Sequence, residues 1–194
     1  IKTGLVNAHH ITTTTKVFAS EISVLNKNVH VLPNAINPNE RQFKPKKIET
    51  DRIRIGWLGG SSHLKDLEIL DGLACKLNGS HKDKFQFVLC GFDLRGQMTM
   101  INPETGEQTN RPIEPHESVE DTAYRRVWTK PVTTYASNYN HFDISLAPLK
   151  EHIFNRVKSQ LKVIEAGFHK KALIAQDYGP YQIDCINAIE YGGK

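Results

Sequence analysis

Residues 56–63, which read Gly-Trp-Leu-Gly-Gly-Ser-Ser-His, follow a β-rich run and precede a segment with helical spacing. Glycines let a backbone approach a ligand closely, and a helix that begins at such a loop directs unpaired N–H groups and its positive dipole end into the same space. This arrangement suits a diphosphate. A tight turn with a serine as the helix N-cap fits the same residues. The candidate ligand-binding residues here are Gly59, Gly60, Ser61, Ser62 and His63.

A second segment, residues 154–167, carries polar residues at a spacing of three. Ser159, Lys162 and Glu165 would lie near one face of a helix over its first two turns. On such a face an ammonium group can meet a phosphate while a carboxylate accepts hydrogen bonds from sugar hydroxyls. An exposed Lys–Glu pair that stabilises the helix by a few tenths of a kcal/mol fits the spacing equally well.

The sequence offers little for metal or disulfide chemistry. It has nine His but no His-x-x-x-His or His-Glu-x-x-His pattern, and it contains no Asp-x-Asp. Its Cys residues are Cys75, Cys90 and Cys185, at wide and unpatterned spacings. We therefore expect buried free thiols in a reducing compartment, no metal site and no bound cofactor.

The composition is that of a soluble globular protein. A length of 194 residues, with 39% hydrophobic and 24% charged residues, suits one domain with a short piece of a neighbour. The net charge of +4 is mild, and the only tight basic cluster, Lys44 with Lys46 and Lys47, has no interleaved aromatic residues, so nucleic acid binding is not predicted. We expect a cytoplasmic protein, and a peripheral position at the inner face of a membrane stays open. Because the sequence begins Ile1-Lys2, we expect it to be a fragment.

Short β-rich runs alternate with segments of helical period, which predicts βαβ units and a parallel sheet. The predicted strands are residues 10–14, 29–32, 52–58, 85–90, 143–148 and 172–175. The predicted helices are residues 16–26, 64–77, 118–128, 135–142 and 159–168. Residues 34–51 read as a linker, and the Pro and Gly within residues 94–115 predict a protruding β-hairpin insertion. The expected architecture is α/β, with a Rossmann-like parallel sheet flanked by helices.

Four segments occur in an order that is shared with one enzyme family. They are residues 31–37 (VLPNAIN), residues 55–60 (IGWLGG) with His63 and Asp66, residues 142–149 (FDISLAPL), and residues 158–167 with Lys158, Ser159, Lys162 and Glu165. Together they resemble the C-terminal, donor-binding domain of the group 1 retaining glycosyltransferases, which have the GT-B fold. The similarity extends from Thr12 to Tyr181.

The resemblance implies that the chain is one half of a GT-B fold. Residues 1–37 would be the end of the N-terminal acceptor domain and the linker, and residues 38–194 the nucleotide-sugar-binding domain. The full enzyme would transfer a sugar from a nucleoside diphosphate sugar, with retention and without an obligatory metal. Its acceptor, a glycan or a lipid-linked glycan, would be held by the missing N-terminal domain, so the fragment alone would be inactive.

The resemblance also implies roles for residues of the two segments. Backbone amides at residues 59–62, together with Lys158, Ser159 and Lys162, would stabilise the leaving diphosphate. Glu165 fits the second Glu of the family's Glu-x7-Glu pattern and would hold the nucleotide ribose. Val157 stands where the first Glu is expected, which removes a residue that related enzymes place near the transferred sugar. The predicted catalytic residues are therefore Lys158, Lys162 and Glu165.

Two other functions stay open at this point. A GT-B-fold sugar-nucleotide epimerase would need carboxylates or histidines directed at the sugar, and no such set can be assigned in the sequence. A non-catalytic module that binds a nucleotide sugar would lack the second half that carries an acceptor cleft.

Overall fold

The computed structural model describes residues 2–91, 97–112, 124–127 and 129–182. In chain order its strands are β1 (Ile11–Thr13), β2 (Val29–Val31), β3 (Ile53–Leu58), β4 (Phe85–Cys90), β5 (Gln97–Ile101), β6 (Gln108–Pro112), β7 (Tyr124–Val127), β8 (Ile144–Ala147) and β9 (Ala172–Ala175). Its α-helices are α1 (Lys2–Asn7), α2 (Lys16–Ser23), α3 (Leu64–Leu67), α4 (Leu73–Ser80), α5 (Ile153–Arg156) and α6 (Leu161–Phe168). Turns of 3₁₀ helix lie at Arg41–Phe43, Ser61–His63, Glu68–Leu70, Tyr135–His141 and Gly179–Tyr181.

The central sheet has five parallel strands in the order β7-β4-β3-β8-β9. The chain leaves β3 toward one edge through β4 and β7, and then returns to the other side of β3 with β8 and β9. In open parallel sheets, ligands bind outside the carboxyl ends of the strands where the strand order reverses. The loops after β3 and β8 border this position.

The sheet is covered on both faces, which explains why most residues of its central strands are apolar. On one face, α4 and the segment before it pack on a core that includes Trp57, Phe87 and Leu146. On the other face, the 3₁₀ helix Tyr135–His141 and α6 pack on Leu58, Val88 and neighbouring residues. Gly56 permits this close packing, because a Cβ at this position would lie 2.1 Å from Cδ1 of the buried Phe142 ring.

The N-terminal segment forms a separate small βαβ unit. Its strands β1 and β2 pair in parallel, with Ile11 opposite Val29, and α2 connects them. Thr15 caps α2, since its Oγ1 accepts a hydrogen bond of 3.1 Å from the Phe18 amide. The unit leaves apolar side chains in water, of which Val24 is 80% exposed.

Most of the predicted elements are confirmed. All six predicted strands are present, and β5 with β6 forms the expected antiparallel hairpin within residues 94–115. The hairpin pairs only with itself among the described strands. The helices predicted at residues 16–26 and 159–168 appear as the shorter α2 and α6, and residues 135–142 contain a 3₁₀ helix.

Three predictions about local structure are wrong. Within residues 118–128, residues 124–127 form β7, because they pair with β4 and become the edge of the sheet; residues 118–123 and 128 lie outside the described residues. The helix predicted at residues 64–77 is divided by Gly72, whose φ of +77° suits glycine. Cys75 is exposed, whereas Cys90 is a buried thiol as expected, and Cys185 lies outside the described residues.

Over the described ranges, none of the helices combines the length and the apolar character that a membrane crossing requires.

An ion pair fixes the amino end of β3 to the start of β8. Arg54 is 3% exposed, and its guanidinium donates to both carboxylate oxygens of Asp143 (3.2 and 3.3 Å) and to the Ile48 carbonyl (3.0 Å). Partial burial would raise the pKa of Asp143, but the hydrogen bonds from Arg54 and its positive charge outweigh burial and lower it.

We expect Asp143→Ala to lower the free energy of unfolding by about 2–3 kcal/mol, because it leaves the buried Arg54 charge without its carboxylate. The value lies below the loss for a fully buried pair, since the Asp143 side chain is 41% exposed. A carboxylate with a lowered pKa stabilises the fold above its unfolded pKa, near 4, and that stabilisation is lost as pH falls through the folded pKa. Urea unfolding of wild type and variant should therefore differ at neutral pH and converge in acid.

The matched control is Asp51→Ala, which removes a 91% exposed carboxylate 3.8 Å from Arg52. Its free energy of unfolding should stay close to that of the wild type. Equal losses for Asp51→Ala and Asp143→Ala would contradict the role given to the Arg54 pair.

Candidate functional site

A cavity of about 350 Å³ lies at the carboxyl ends of β3 and β4. The loop after β3 contributes one wall, and the first turns of α6 contribute another. Residues between β7 and the 3₁₀ helix Tyr135–His141 complete the cavity. The sequence-predicted residues on its walls are Gly59, Gly60, His63, Lys162 and Glu165.

Positions 59 and 60 of the loop are glycines for different physical reasons. A Cβ on Gly59 would lie 2.3 Å from the Trp57 ring, and that side chain is 1% exposed and belongs to the core. A Cβ on Gly60 would meet nothing within 4 Å. Gly59 is therefore required by the packing of Trp57, whereas Gly60 leaves open space for a ligand at the cavity wall.

The helix after this loop is shorter than predicted. Ser61, Ser62 and His63 form a 3₁₀ turn, and α3 has only four residues. The N-cap of α3 is His63, so the alternative with a serine as N-cap is wrong. A helix of one turn has a small macrodipole, so backbone amides and lysine side chains contribute more of the positive potential here than α3 does.

Lys162 and Glu165 do not form an exposed surface pair, so that alternative is also wrong. Glu165 is 2% exposed, and its carboxylate accepts a hydrogen bond of 2.9 Å from the Tyr139 hydroxyl and another from the Tyr135 hydroxyl. The Lys162 ammonium donates to the Leu58 carbonyl and lies 5.7 Å from the Trp57 ring centroid. Both side chains are thus held at the cavity wall.

Burial shifts the pKa values of the ionisable side chains at this cavity wall. Burial and the adjacent Glu165 carboxylate raise the pKa of Tyr135 and of Tyr139, which keeps both hydroxyls protonated as donors. Burial lowers the pKa of Lys162, and the negative charge of Glu165 opposes that shift. A carboxylate has about four acceptor positions, so two tyrosines leave Glu165 able to accept further hydrogen bonds.

Ser159 and Lys158 precede α6 instead of lying on it, so Ser159 does not share the helical face of Lys162 and Glu165. The Ser159 hydroxyl accepts a hydrogen bond of 2.6 Å from the Asn34 side chain in the linker. The Lys158 ammonium lies 3.5 Å from an Asp66 carboxylate oxygen and 5.3 Å from the Phe154 ring centroid. Ser159 therefore connects the site to the linker, and Lys158 belongs to a second cluster.

The second cluster surrounds Asp66, which is 3% exposed. Its Oδ1 accepts from the Lys150 amide (2.9 Å) and the Asn155 side-chain amide (2.8 Å), and its Oδ2 lies 2.8 Å from Nδ1 of His63. Burial would raise the pKa of Asp66, but these hydrogen bonds and the Lys158 charge outweigh burial and lower it.

Reasoning from the sequence did not select Asp66 or Asn155 as site residues. The available signal for Asp66 was its place, three residues after His63, among the residues that carry the family resemblance. Among the described residues, no three His, Cys, Asp or Glu side chains gather in a way that could hold a metal ion.

A five-stranded parallel sheet flanked by helices, with a cavity at the strand ends, is the α/β architecture of a GT-B half-domain. The chain aligns with TarM from S. aureus in complex with fondaparinux, α-GlcNAc-glycerol and UDP, at a TM-score of 0.51 and 15% identity over 93% of this chain. A second TarM structure gives a TM-score of 0.53 and 13% identity, also over 93% of the chain. The catalytic domain of starch synthase IV from Arabidopsis thaliana, bound to ADP and acarbose, gives 0.51 and 14% over 96%.

These similarities establish a GT-B glycosyltransferase-like fold. The chain spans 32% of each TarM chain and 42% of the starch synthase chain. No family model and no curated protein matches the sequence.

The two loop glycines provide a direct test of the cavity wall. We expect Gly59→Ala to lower the free energy of unfolding by about 1–3 kcal/mol, because its methyl group overlaps the buried Trp57 ring. Gly60→Ala should be neutral or stabilise by up to about 1 kcal/mol, since it has free space and loses less chain entropy on folding. Urea unfolding curves of the two variants decide the matter. A loss at Gly60 as large as that at Gly59 would show that the loop packs differently.

Proposed function

We propose that the chain is the donor-binding half of a glycosyltransferase and binds a nucleoside diphosphate sugar in the cavity beside Gly60. The observation that carries this proposal is the half-buried Lys162 ammonium, which is held at the carboxyl end of β3 and lines the same cavity as the open space at Gly60. Lys130 lies on the same cavity and Lys158 is close to it. The UDP and ADP in the complexes of TarM and starch synthase IV support a nucleoside diphosphate as the ligand.

In this proposal the lysines and the loop amides hold the diphosphate. Fixed positive groups in a cavity shielded from water stabilise a leaving diphosphate more than the same groups would in bulk water. Lys130 is already oriented, since its ammonium donates to the Ser137 hydroxyl at 3.0 Å. Stabilisation of the leaving group would then be the chemical contribution of this half of the enzyme.

The ribose would bind at Glu165, with one adjustment to the free structure. Tyr135 lines the cavity, and its hydroxyl donates to Oε1 of Glu165. Tyr139 is fully buried, and its hydroxyl donates to Oε2. A ribose hydroxyl would share or replace the Tyr135 hydrogen bond while Tyr139 keeps its own. Tyr135 is therefore the residue that would move when a nucleotide binds.

The acceptor side belongs to the other half of the proposed enzyme. Residues 1–37 would be the end of that other half and the linker to this one. The separate β1–β2 sheet supports this division, because the unit that contains it leaves Val17 and Val24 exposed. We propose sugar transfer with retention to a glycan or a lipid-linked glycan. The complexes of TarM with α-GlcNAc-glycerol and of starch synthase IV with acarbose support a carbohydrate acceptor.

Lys162→Gln separates the charge of Lys162 from its hydrogen bond, because glutamine still donates to the Leu58 carbonyl. We expect this variant to weaken binding of UDP, GDP or ADP by about 1–3 kcal/mol and to spare the corresponding nucleoside, since the lost partner is phosphate. Glu165→Gln should instead weaken nucleotide and nucleoside alike, through the ribose. Isothermal titration calorimetry with both ligand types measures the difference.

The control is Lys65→Gln, which makes the same change of charge on an exposed residue of α3. It should change the affinity by less than a few tenths of a kcal/mol. If Lys162→Gln and Glu165→Gln fold normally and bind like this control, the donor site is elsewhere.

We also expect nucleotide binding to be independent of divalent cations. Neither an Asp-x-Asp nor, within the described ranges, a cluster of three metal-ligating side chains is available to hold one beside the phosphates. Titration of the same nucleoside diphosphate with and without EDTA should give the same affinity. A loss of affinity on chelation, restored by added Mg²⁺ or Mn²⁺, would contradict this prediction.

A further inference from the structure

Asp66 occupies the point where the strand order of the sheet reverses. It lies on α3 after β3, and it accepts hydrogen bonds from Lys150 in the loop after β8 and from Asn155 on α5. Its remaining oxygen faces His63 and the Lys158 ammonium, at 2.8 and 3.5 Å. One buried carboxylate thus holds both loops of the crevice.

The surroundings of Asp66 decide which nitrogen of His63 carries a proton. The Lys150 amide and the Asn155 side-chain amide can only donate to Oδ1, and the Lys158 ammonium can only donate to Oδ2. The carboxylate is therefore ionised, in agreement with its lowered pKa. An ionised carboxylate needs a donor at Nδ1 of His63, so Nδ1 carries the hydrogen.

The other ring nitrogen, Nε2, is then free to act as an acceptor. Burial and the nearby charges of Lys158 and Lys162 lower the pKa of His63, although the hydrogen bond to Asp66 opposes this shift, and a lowered pKa favours the neutral ring at neutral pH. His63 lines the cavity, and its side chain is 25% exposed. Among the described residues, the hydrogen-bond partner of the ring is Asp66, at Nδ1. The His63 and Trp57 rings also form a T-shaped pair with their centroids 6.0 Å apart.

We propose that Asp66 is a positioning residue that fixes His63 as a hydrogen-bond acceptor, and that Nε2 of His63 accepts from a hydroxyl group of the sugar attached to the diphosphate. This inference rests on the proposed function. A phosphate oxygen is itself an acceptor, so an unprotonated Nε2 disfavours phosphate and favours a hydroxyl donor. The adjacent Lys158 and Lys162 charges would place the phosphate next to His63, and the hydroxyls nearest to that phosphate belong to the sugar.

As an acceptor for a sugar hydroxyl, His63 would distinguish a nucleotide sugar from the free nucleoside diphosphate, which contacts to the diphosphate alone cannot do. Lysine ammonium groups bind a free nucleoside diphosphate and its sugar conjugate through the same phosphates. A neutral histidine acceptor contributes only when the sugar is present. Substitution of His63 or Asp66 should therefore change the ratio of the affinities for the sugar conjugate and for the free nucleoside diphosphate. Substitution of Lys162 should weaken both affinities together.

The first experiment needs no ligand. Nitrogen-15 NMR of the histidine rings in the 194-residue chain reports the tautomer of His63 near neutral pH. We expect the Nδ1–H tautomer in the wild type. In Asp66→Asn, the new amide oxygen can keep the Lys150 and Asn155 donors, so its NH₂ group faces His63 and should impose the Nε2–H tautomer; an Asp-to-Asn change beside a catalytic histidine has this effect in serine proteases. An imidazolium ring or an Nε2–H tautomer in the wild type would overturn the positioning role.

The second experiment measures the ratio of dissociation constants for matched pairs: UDP and UDP-glucose, ADP and ADP-glucose, GDP and GDP-mannose. With the pair that the wild type binds, we expect His63→Phe and Asp66→Asn each to reduce the preference for the sugar conjugate by about tenfold. His81→Phe is the control, because it makes the same change at a histidine that packs on Phe85 outside the cavity. His63→Phe leaves the Asp66 carboxylate in place, so it keeps the test valid if Asp66→Asn does not fold.

The outcomes separate this inference from the function on which it rests. If a nucleoside diphosphate binds and the ratio stays unchanged in His63→Phe, the sugar contact is refuted while the donor site stands. If none of the nucleotides binds the wild type, the proposed function fails and the sugar contact fails with it, and the NMR result alone then decides whether Asp66 sets the tautomer.

Discussion

The buried carboxylate of Asp66 is the constraint on which the arrangement of the site depends. Removing an ion from water costs several kcal/mol, and only a complete set of donors at short distance offsets that cost. The donors to Asp66 come from the loop after β8, from α5, from Lys158 between α5 and α6, and from His63 after β3. The two loops must therefore keep one relative position, and His63 and Lys158 acquire theirs as a result.

Helix α6 is fixed at successive turns by a second set of polar contacts. Lys162 bonds to the end of β3, and Glu165 bonds to the 3₁₀ helix through two tyrosines. At its end, the buried His169 ring lies 2.9 Å from the Gln42 carbonyl in the linker and stacks on Tyr139. Lys162 and Glu165 thus both line the cavity and hold the helix, which links binding to the stability of this layer.

Much of the fold was predictable from local pattern, and the site was predictable only in part. Strands such as Phe85–Cys90 are apolar at every position except Gln86, because helical segments cover both faces of the sheet, and glycines and lysines marked the two strand-to-helix junctions. By contrast, Tyr124–Val127 contains two arginines and is a strand only through pairing with β4. The contact of Asp66 with Asn155 spans 89 residues, and no periodicity in the sequence reveals a contact of that range.

The order of the strands has a consequence for how the chain folds as it is synthesised. Strand β3 pairs first with β4, but its other edge must wait for β8, and the pair Arg54 and Asp143 that closes this edge is separated by 89 residues. At roughly 5–20 residues per second, the ribosome needs on the order of 10 s to supply that partner. During this interval the central strand has an open, apolar edge that favours aggregation, so this half of the sheet is where a nascent chain would most need a chaperone.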